Sequence, residues 1–291
     1  MIQDIFPHRF SNQYENRMPA EESKMLCFLE NKILIRRTES DELLLPDYGL
    51  IREHLDGQKM QYLFSIDQVG YFLLLDGKLV QEGQGEKKSL VFWEKKPEGY
   101  DLEPVRSLRQ MVSKETCFAV MTAWHLYIWY RDNQFCGRCG QRTVHDGKER
   151  MLRCPSCGNL IFPKIAPAVI ICVTDGDRIL MSKYADRDYK KYALLAGFTE
   201  IGETAEETVA REVMEEVGLK VKNIKYYKSQ PWGIDSNLLM GFFCQLDGDD
   251  TIRMDTQELS TAQWFRRDEM PAHNDGISLT REMMEVFEKN L

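Results

Sequence analysis

The chain has 291 residues, room for two domains and a small third module. Its 43% hydrophobic and 29% charged residues are ordinary for a globular protein. A net charge of −8 argues against a nonspecific grip on nucleic-acid backbone, which needs a basic surface. The opening MIQDIFPHRF has no apolar signal-peptide core, and the longest apolar runs, such as Ala168–Val173, are too short to span a bilayer. No membrane partner is therefore expected. Four of the eight cysteines form two C-x-x-C pairs, which favours metal in a reducing compartment over disulfides. The expected location is the cytoplasm.

Residues 1–130 carry no catalytic motif and read as a β-rich domain. Met25–Arg37 and Tyr71–Val80 have strand patterns, the second turning at Asp76-Gly77, and Val91–Trp93 reads as a further short strand. From Val105 to Tyr130 apolar residues recur at helical spacing, and the Trp and Tyr residues there are read as core.

A small module over 131–163 follows. Cys136 and Cys139 are separated by fourteen residues from Cys154 and Cys157. Each pair reads as a knuckle, in which Gly137 or Gly140 and Gly158 let backbone amides turn toward sulfur. Two knuckles supply four thiolates, the set of a closed tetrahedral structural Zn²⁺ site. His145 lies between them but is surplus to a complete ligand set. The segment Arg131–Phe162 mixes basic with acidic residues and lacks a dense basic stripe.

In the third part, 164–291, Ala166–Thr174 reads as a buried strand, with Arg178–Ser182 its hairpin partner. Val221–Lys228, Leu238–Gln245 and Glu258–Phe265 read as strands, and Ser278–Asn290 as a closing helix. Between them runs GFTEIGETAEETVAREVMEEVGL, Gly197–Leu219. Thr204 with Glu207 has capping-box spacing, and Gly218 marks the helix stop. Ala205, Val209, Ala210, Val213, Met214 and Val217 form the apolar face. Glu212, Glu215 and Glu216 project from roughly one side, and Arg211 can pair with Glu215 four residues on. Carboxylates at that density repel unless neutralised, and a hard cation such as Mg²⁺ neutralises them. A solvated acidic face explains Glu206 and Glu207, but not the joint placement of the other residues.

This stretch resembles the Nudix box, G-x5-E-x7-R-E-U-x-E-E-x-G-U with U apolar. All nine fixed positions are met, by Gly197, Glu203, Arg211, Glu212, Val213, Glu215, Glu216, Gly218 and Leu219. A ribbon before the box and Ser229-Gln230-Pro231-Trp232 ten residues after it resemble the NADH pyrophosphatase branch. The resemblance implies an α/β (α+β) class: a Nudix α/β/α sandwich with a mixed sheet, the box helix and the last helix on opposite faces. A zinc ribbon and an N-terminal Nudix-like domain would precede it. It implies hydrolysis of NAD(H) to AMP and nicotinamide mononucleotide, with removal of NAD caps from RNA as a sub-hypothesis, and a homodimer.

By the same resemblance, Glu203, Arg211, Glu212, Glu215 and Glu216 are catalytic. Mg²⁺ or Mn²⁺ is assigned to Glu212, Glu216, Glu258 and Ala196. Glu203, Glu215 and Glu258 all stand as candidates for the general base. Substrate binding falls to Arg109, Phe162, Gln230, Pro231, Trp232, Gly233, Ile234, Asp235, Ser236 and Asn237. The family's S-Q-P-W-P-F-P-x-S becomes SQPW followed by Gly233, Ile234 and Asp235, and Phe162 stands where a tyrosine is frequent. Two alternatives stay open, the first of them kept alive by this departure. One is a Nudix hydrolase acting on ADP-ribose or another nucleoside diphosphate derivative. The other is a nucleotide-sensing or RNA-binding module without catalysis.

Overall fold

The computed structural model describes residues 1–55, 58–75, 96–185, 191–271 and 276–290. They divide into two compact units. One comprises Asp4–Lys164 with Gly233–Asp235, the other Met1–Gln3, Ile165–Trp232 and Ser236–Leu291.

The first unit holds β1 (Phe10–Ser11), β2 (Lys24–Leu26), β3 (Phe28–Leu29), β4 (Lys32–Arg37), β5 (Leu43–Leu44), α1 (Tyr48–Ile51), β6 (Lys59–Ile66), β7 (Val69–Leu75), β8 (Tyr100–Pro104) and α2 (Lys114–Asp132). Strands β1, β6, β7 and β2 make one sheet, and β3, β4, β5 and β8 another. The expected strand Met25–Arg37 is three short pieces, and Glu30, at a positive φ of 53°, turns the chain between the second and the third. β7 turns back on β6 through Asp67 and Gln68, both at positive φ, the requirement of a tight hairpin. The expected turn at Asp76-Gly77 and strand Val91–Trp93 lie outside the described residues. The expected helix is a 3₁₀ turn, Val105–Gln110, followed by α2, which Ser113 caps. α2 is buried on most sides, and Phe28 stacks on Tyr127 with ring centroids 5.0 Å apart. Tyr127, Trp129 and Tyr130 are core residues, as their helical spacing predicts. The ribbon ends this unit with β9 (Val144–His145), β10 (Leu152–Arg153) and β11 (Leu160–Ile161), paired in the order β11-β10-β9.

The second unit is built on β12 (Ala166–Asp175), followed by β13 (Arg178–Tyr184), β14 (Leu195–Phe198), α3 (Ala205–Val217), β15 (Val221–Trp232), β16 (Asn237–Leu246), β17 (Leu259–Arg266) and α4 (Leu279–Glu288). The sheet order is β15-β16-β12-β13-β17, with β14 also on β12. β16 runs parallel to β12 and the other pairs are antiparallel, so the sheet is mixed. One edge of β12 is shared: β14 pairs with Ala168–Ile171, and β13 with Thr174 and Asp175. Alternation along β12 feeds two cores. Val169, Ile171 and Val173 pack with Val209, Val213 and Val217 of α3. Ile170 and Cys172 pack with Leu279, Met283, Met284 and Phe287 of α4. The two helices therefore cover opposite faces, as expected of the sandwich.

Candidate active site and metal centre

In the ribbon the four sulfur atoms all lie within 4.8 Å of one another. Cys136 Sγ is 3.7 Å from Cys157 Sγ, and Cys139 Sγ is 3.4 Å from Cys154 Sγ. A tetrahedral zinc with bonds of about 2.3 Å would hold its sulfurs roughly 3.8 Å apart, so the residues present fit the ion. The two knuckles are built alike. The N–H of Gly140 donates to the Cys136 carbonyl at 2.8 Å, and that of Gly158 to the Cys154 carbonyl at 3.0 Å. Both glycines have φ of +72°, a conformation that other residues resist. The backbone N–H of Arg138 donates to Cys136 Sγ and pulls that thiol down to about 6. The N–H groups of Cys157 and Ser156 likewise lower Cys154. Cys139 is lowered by the backbone of Gln141, but the thiols of Cys154 and Cys157 outweigh this and push it up to about 12. Four clustered thiols cannot all ionise without a cation, and Zn²⁺ supplies one. His145 stacks on Tyr130 with its ring nearly parallel, and its Nδ1 is 3.2 Å from Gln61 Oε1.

The box folds as a strand, a loop and a helix. β14 ends at Phe198, Gly202 turns the loop at φ +100°, and α3 begins after Thr204. The capping box is complete: Thr204 N–H donates to Glu207 Oε2 at 2.8 Å, and Glu207 N–H to Thr204 Oγ1 at 3.2 Å. Gly218 ends the helix in the left-handed region. Ala210 and Met214, expected on the apolar face, are exposed, while Thr208 is buried.

The acidic residues separate by burial. Glu212 and Glu216 lie on the packed side of α3, 9% and 2% exposed, whereas Glu215 reaches solvent. The seat of Glu212 is Gly197. A Cβ at that position would stand 1.8 Å from Glu212 Cδ, so only glycine lets the carboxylate lie over the strand. Burial raises the Glu212 carboxyl above its ordinary range; Arg211 opposes the shift, and the charges of Glu215 and Glu258 add to it.

Arg211 is spent entirely on this site. Nε donates to Glu203 Oε1 at 2.6 Å and Nη2 to Glu203 Oε2 at 3.0 Å, a bidentate fork. Nη1 donates to Glu212 Oε1 and to Glu215 Oε2, each at 2.8 Å, and Nη2 also reaches the Phe198 carbonyl at 2.9 Å. Those five bonds match the five N–H donors of a guanidinium. Glu203 also accepts from Thr208 Oγ1 and from the Glu200 N–H, and Arg211 above all holds its carboxyl down at about 2. The Glu203–Arg211 fork was missed in the sequence because its partners stand eight apart, across the loop-to-helix turn.

Glu258 is exposed, directly before β17, and close enough to act on Glu212 electrostatically. Ala196 sits on β14 opposite Ile170, beside Gly197. Among the described residues only the cysteines bring three or more ligand atoms within 4.8 Å of one another. The acids are spaced more widely, as mutually repelling charges are. Two buried carboxylates with a third in range are a hard oxygen donor set, which fits Mg²⁺ or Mn²⁺.

The segment after the box is not a loop until late, for β15 continues through Ser229-Gln230-Pro231-Trp232. Gln230 is fully buried. Its Nε2 donates to the Ile277 carbonyl at 2.7 Å and its Oε1 accepts from the Leu279 N–H at 2.7 Å, so it ties β15 to the start of α4. Pro231 is exposed, Trp232 half-buried, and Asn237, which pairs with Trp232, buried. Ser236 takes a φ of 59°, and its carbonyl accepts from the Ala166 N–H at 2.9 Å. The departures from the family pattern have local causes in the first unit. A Cβ on Gly233 would come within 2.0 Å of the Met121 carbonyl oxygen on α2, which only glycine avoids. Ile234 is buried, and Asp235 accepts from Arg106 Nη2 at 2.7 Å. Arg109 is half-buried on the 3₁₀ turn, and Phe162 is 55% exposed just after β11.

Residues 164–287 match the NUDIX domain model, and residues 131–162 match that of the NADH pyrophosphatase zinc ribbon domain. The chain is 30% identical over 248 residues to the NAD-capped RNA hydrolase NudC of Pectobacterium atrosepticum, covering 78% of this chain and 95% of that protein. It is 34% identical over 216 residues to the NAD-capped RNA hydrolase NudC of Photorhabdus laumondii, covering 72% and 81%. A solved NUDIX hydrolase structure from Nitrosomonas europaea superposes with a TM-score of 0.47 at 24% identity, over 54% of this chain and 91% of that one. With a complete box on a mixed sheet and a four-cysteine ribbon ahead of it, the chain belongs to the Nudix hydrolases, in their zinc-ribbon NADH pyrophosphatase family.

Proposed function

We propose that the chain hydrolyses the pyrophosphate bond of NAD(H), giving AMP and nicotinamide mononucleotide, and that it removes NAD caps from RNA. The observation that carries this reading is the burial of Glu212 and Glu216, the first of them seated against Gly197, with Arg211 fully engaged in holding its neighbours. Glu212, Glu216 and Glu258, with the backbone of Ala196, would hold Mg²⁺ or Mn²⁺. Such ions neutralise a diphosphate and lower the pKa of bound water.

The chain's own residues do the rest. Arg211 fixes Glu212 and Glu215 in position while Glu203 clamps Arg211, support of the kind that sets metal affinity. Glu203, held at about 2 by its arginine, is a weak proton acceptor, which leaves Glu215 and Glu258 as the stronger candidates for the base. The family resemblance assigns Phe162, Trp232 and Arg109 to substrate binding, roles in which an aromatic ring stacks on a base and an arginine meets a phosphate. The same resemblance assigns Pro231, Gly233, Ile234, Asp235, Ser236 and Asn237 to the binding segment, with Gln230 as its buried strut. Three functional parts, 1–130, 131–163 and 164–291, follow from this division of labour.

Product analysis with NADH and Mg²⁺ or Mn²⁺ tests the reaction. Wild-type protein is expected to give AMP and reduced mononucleotide, and Glu216→Gln to lose about a hundred-fold or more in rate. Full activity in that variant would remove the assignment. The GID departure keeps ADP-ribose as a second reading, decided by the ratio of kcat/KM for NADH and ADP-ribose. A homodimer and a cytoplasmic location complete the proposal, the first checked by light scattering and the second by fractionation. No helix among the described residues is long and apolar enough to cross a membrane.

A further inference from the structure

The zinc ribbon presents a face that the hydrolytic site does not use. In its strand register Val144, Arg153 and Leu160 lie side by side in one row, and His145, Leu152 and Ile161 in the other. In the second row Leu152 is buried at 1% exposure and Ile161 half-buried, while His145 is exposed with its ring laid against Tyr130. The first row turns outward, with Val144 37% and Leu160 44% exposed. Just before β9, Thr143 is buried and Arg142 half-buried. Arg142 bridges to Phe135, and its guanidinium stands 5.1 Å from the centre of that ring, which is itself 56% exposed. Arg153 gives one N–H to Asp146 Oδ2 at 3.3 Å and has further donors to offer.

The segment mixes both signs and has no dense basic stripe, but it carries a small excess of positive charge. Residues 131–162 hold six Arg and Lys against three Asp and Glu, in a chain of net charge −8. A zinc ion with four thiolates subtracts two, and the segment stays positive. An aromatic ring paired with a guanidinium plane, flanked by aliphatic side chains and a second arginine, suits single-stranded nucleic acid. Bases stack on the ring and the plane, while arginines meet the phosphates. Its three strands, about 4.8 Å apart, make a platform for a few splayed bases.

We propose that this outer face of the ribbon binds single-stranded RNA, the strand that continues from a dinucleotide cap. The inference rests on the reaction proposed above for what is joined to that strand, and on the ribbon's own register and charge for the rest. The acidic remainder of the chain confines any such binding to a local patch.

The test is fluorescence anisotropy of a short 3′-labelled RNA bearing a 5′-monophosphate, titrated with the zinc-loaded full chain without Mg²⁺ or Mn²⁺. Phe135→Ala combined with Arg142→Ala is expected to weaken binding about ten-fold or more. Each lost phosphate contact should also flatten the log–log salt slope by about 0.7. Arg142→Gln alone, with zinc content checked, gives the same direction if the double variant disturbs the ribbon. On free NADH both variants should keep wild-type kcat/KM, while on NAD-capped RNA kcat/KM falls about ten-fold. Equal RNA affinity in wild type and variants overturns the proposal. So does a wild-type dimer that the variants reduce to monomer, for then a second copy occupies the face. Wild-type protein that binds RNA here yet leaves NADH intact would sustain the platform and remove the reaction.

Discussion

The ribbon draws its four thiols from two short knuckles separated by fourteen residues, whereas the acidic site draws on a loop, a helix and the approach to a distant strand. Both gather groups that repel one another when ionised, and they relieve the repulsion differently. In the ribbon, backbone N–H groups point at sulfur and lower Cys136 and Cys154 locally. Around α3 a single arginine answers three carboxylates, and a glycine strand gives one of them its seat. A soft, closed set suits an ion that stays, and a hard, looser set suits one that must also meet a substrate. The lesson is that the ribbon's geometry is a property of its own loops, while the acidic site exists only once the sheet has formed.

The sharpest way to break that comparison is to remove the ribbon's ion. Cys154→Ser, or chelation, should release zinc and unfold β9–β11, because structural zinc sites contribute about 10–16 kcal/mol in small modules. Zinc content and hydrogen exchange would read this, with the amides of β12 staying protected. Loss of protection in β12 in step with the ribbon would mean that the two sites are not independent. Next in size is Gly197→Ala, which sets a methyl group against the Glu212 carboxylate and should cost about a hundred-fold in turnover with zinc retained. Near-normal turnover would show that Glu212 needs no fixed seat.

The smallest effect is the pH response of Glu203. Its carboxyl lies at about 2 in the folded chain against 4.5 ordinarily, so it favours folding fully above pH 4.5. That contribution fades as pH falls from 4.5 toward 2. Denaturant titrations over this range should show a steeper loss in wild type than in Glu203→Gln, and parallel curves would refute the fork's importance.

Much of this was legible in the sequence where neighbours in the chain are neighbours in space. The capping box of Thr204 and Glu207, the stop at Gly218 and the two knuckles each depend on residues within about five positions. The burial of Ala168–Val173 was legible because a strand covered on both faces reads as one apolar run. What stayed hidden needed the third dimension. Helical spacing grouped Glu215 with Glu212 and Glu216, but the sheet buries only the last two, since α3 packs along its Val209–Val213–Val217 line. Gln230 read as a recognition residue, and its amide proves to be occupied by Ile277 and Leu279, nearly fifty residues away. No local pattern announces that partnership.

Gly233 has a consequence for anyone building hybrids of this protein. With α2 pressing a carbonyl into the space where a side chain would begin, a transplanted Pro-Phe-Pro cannot be seated by exchanging three codons. The tripeptide and the helix turn bearing Met121 share one space, so a graft has to carry both halves together.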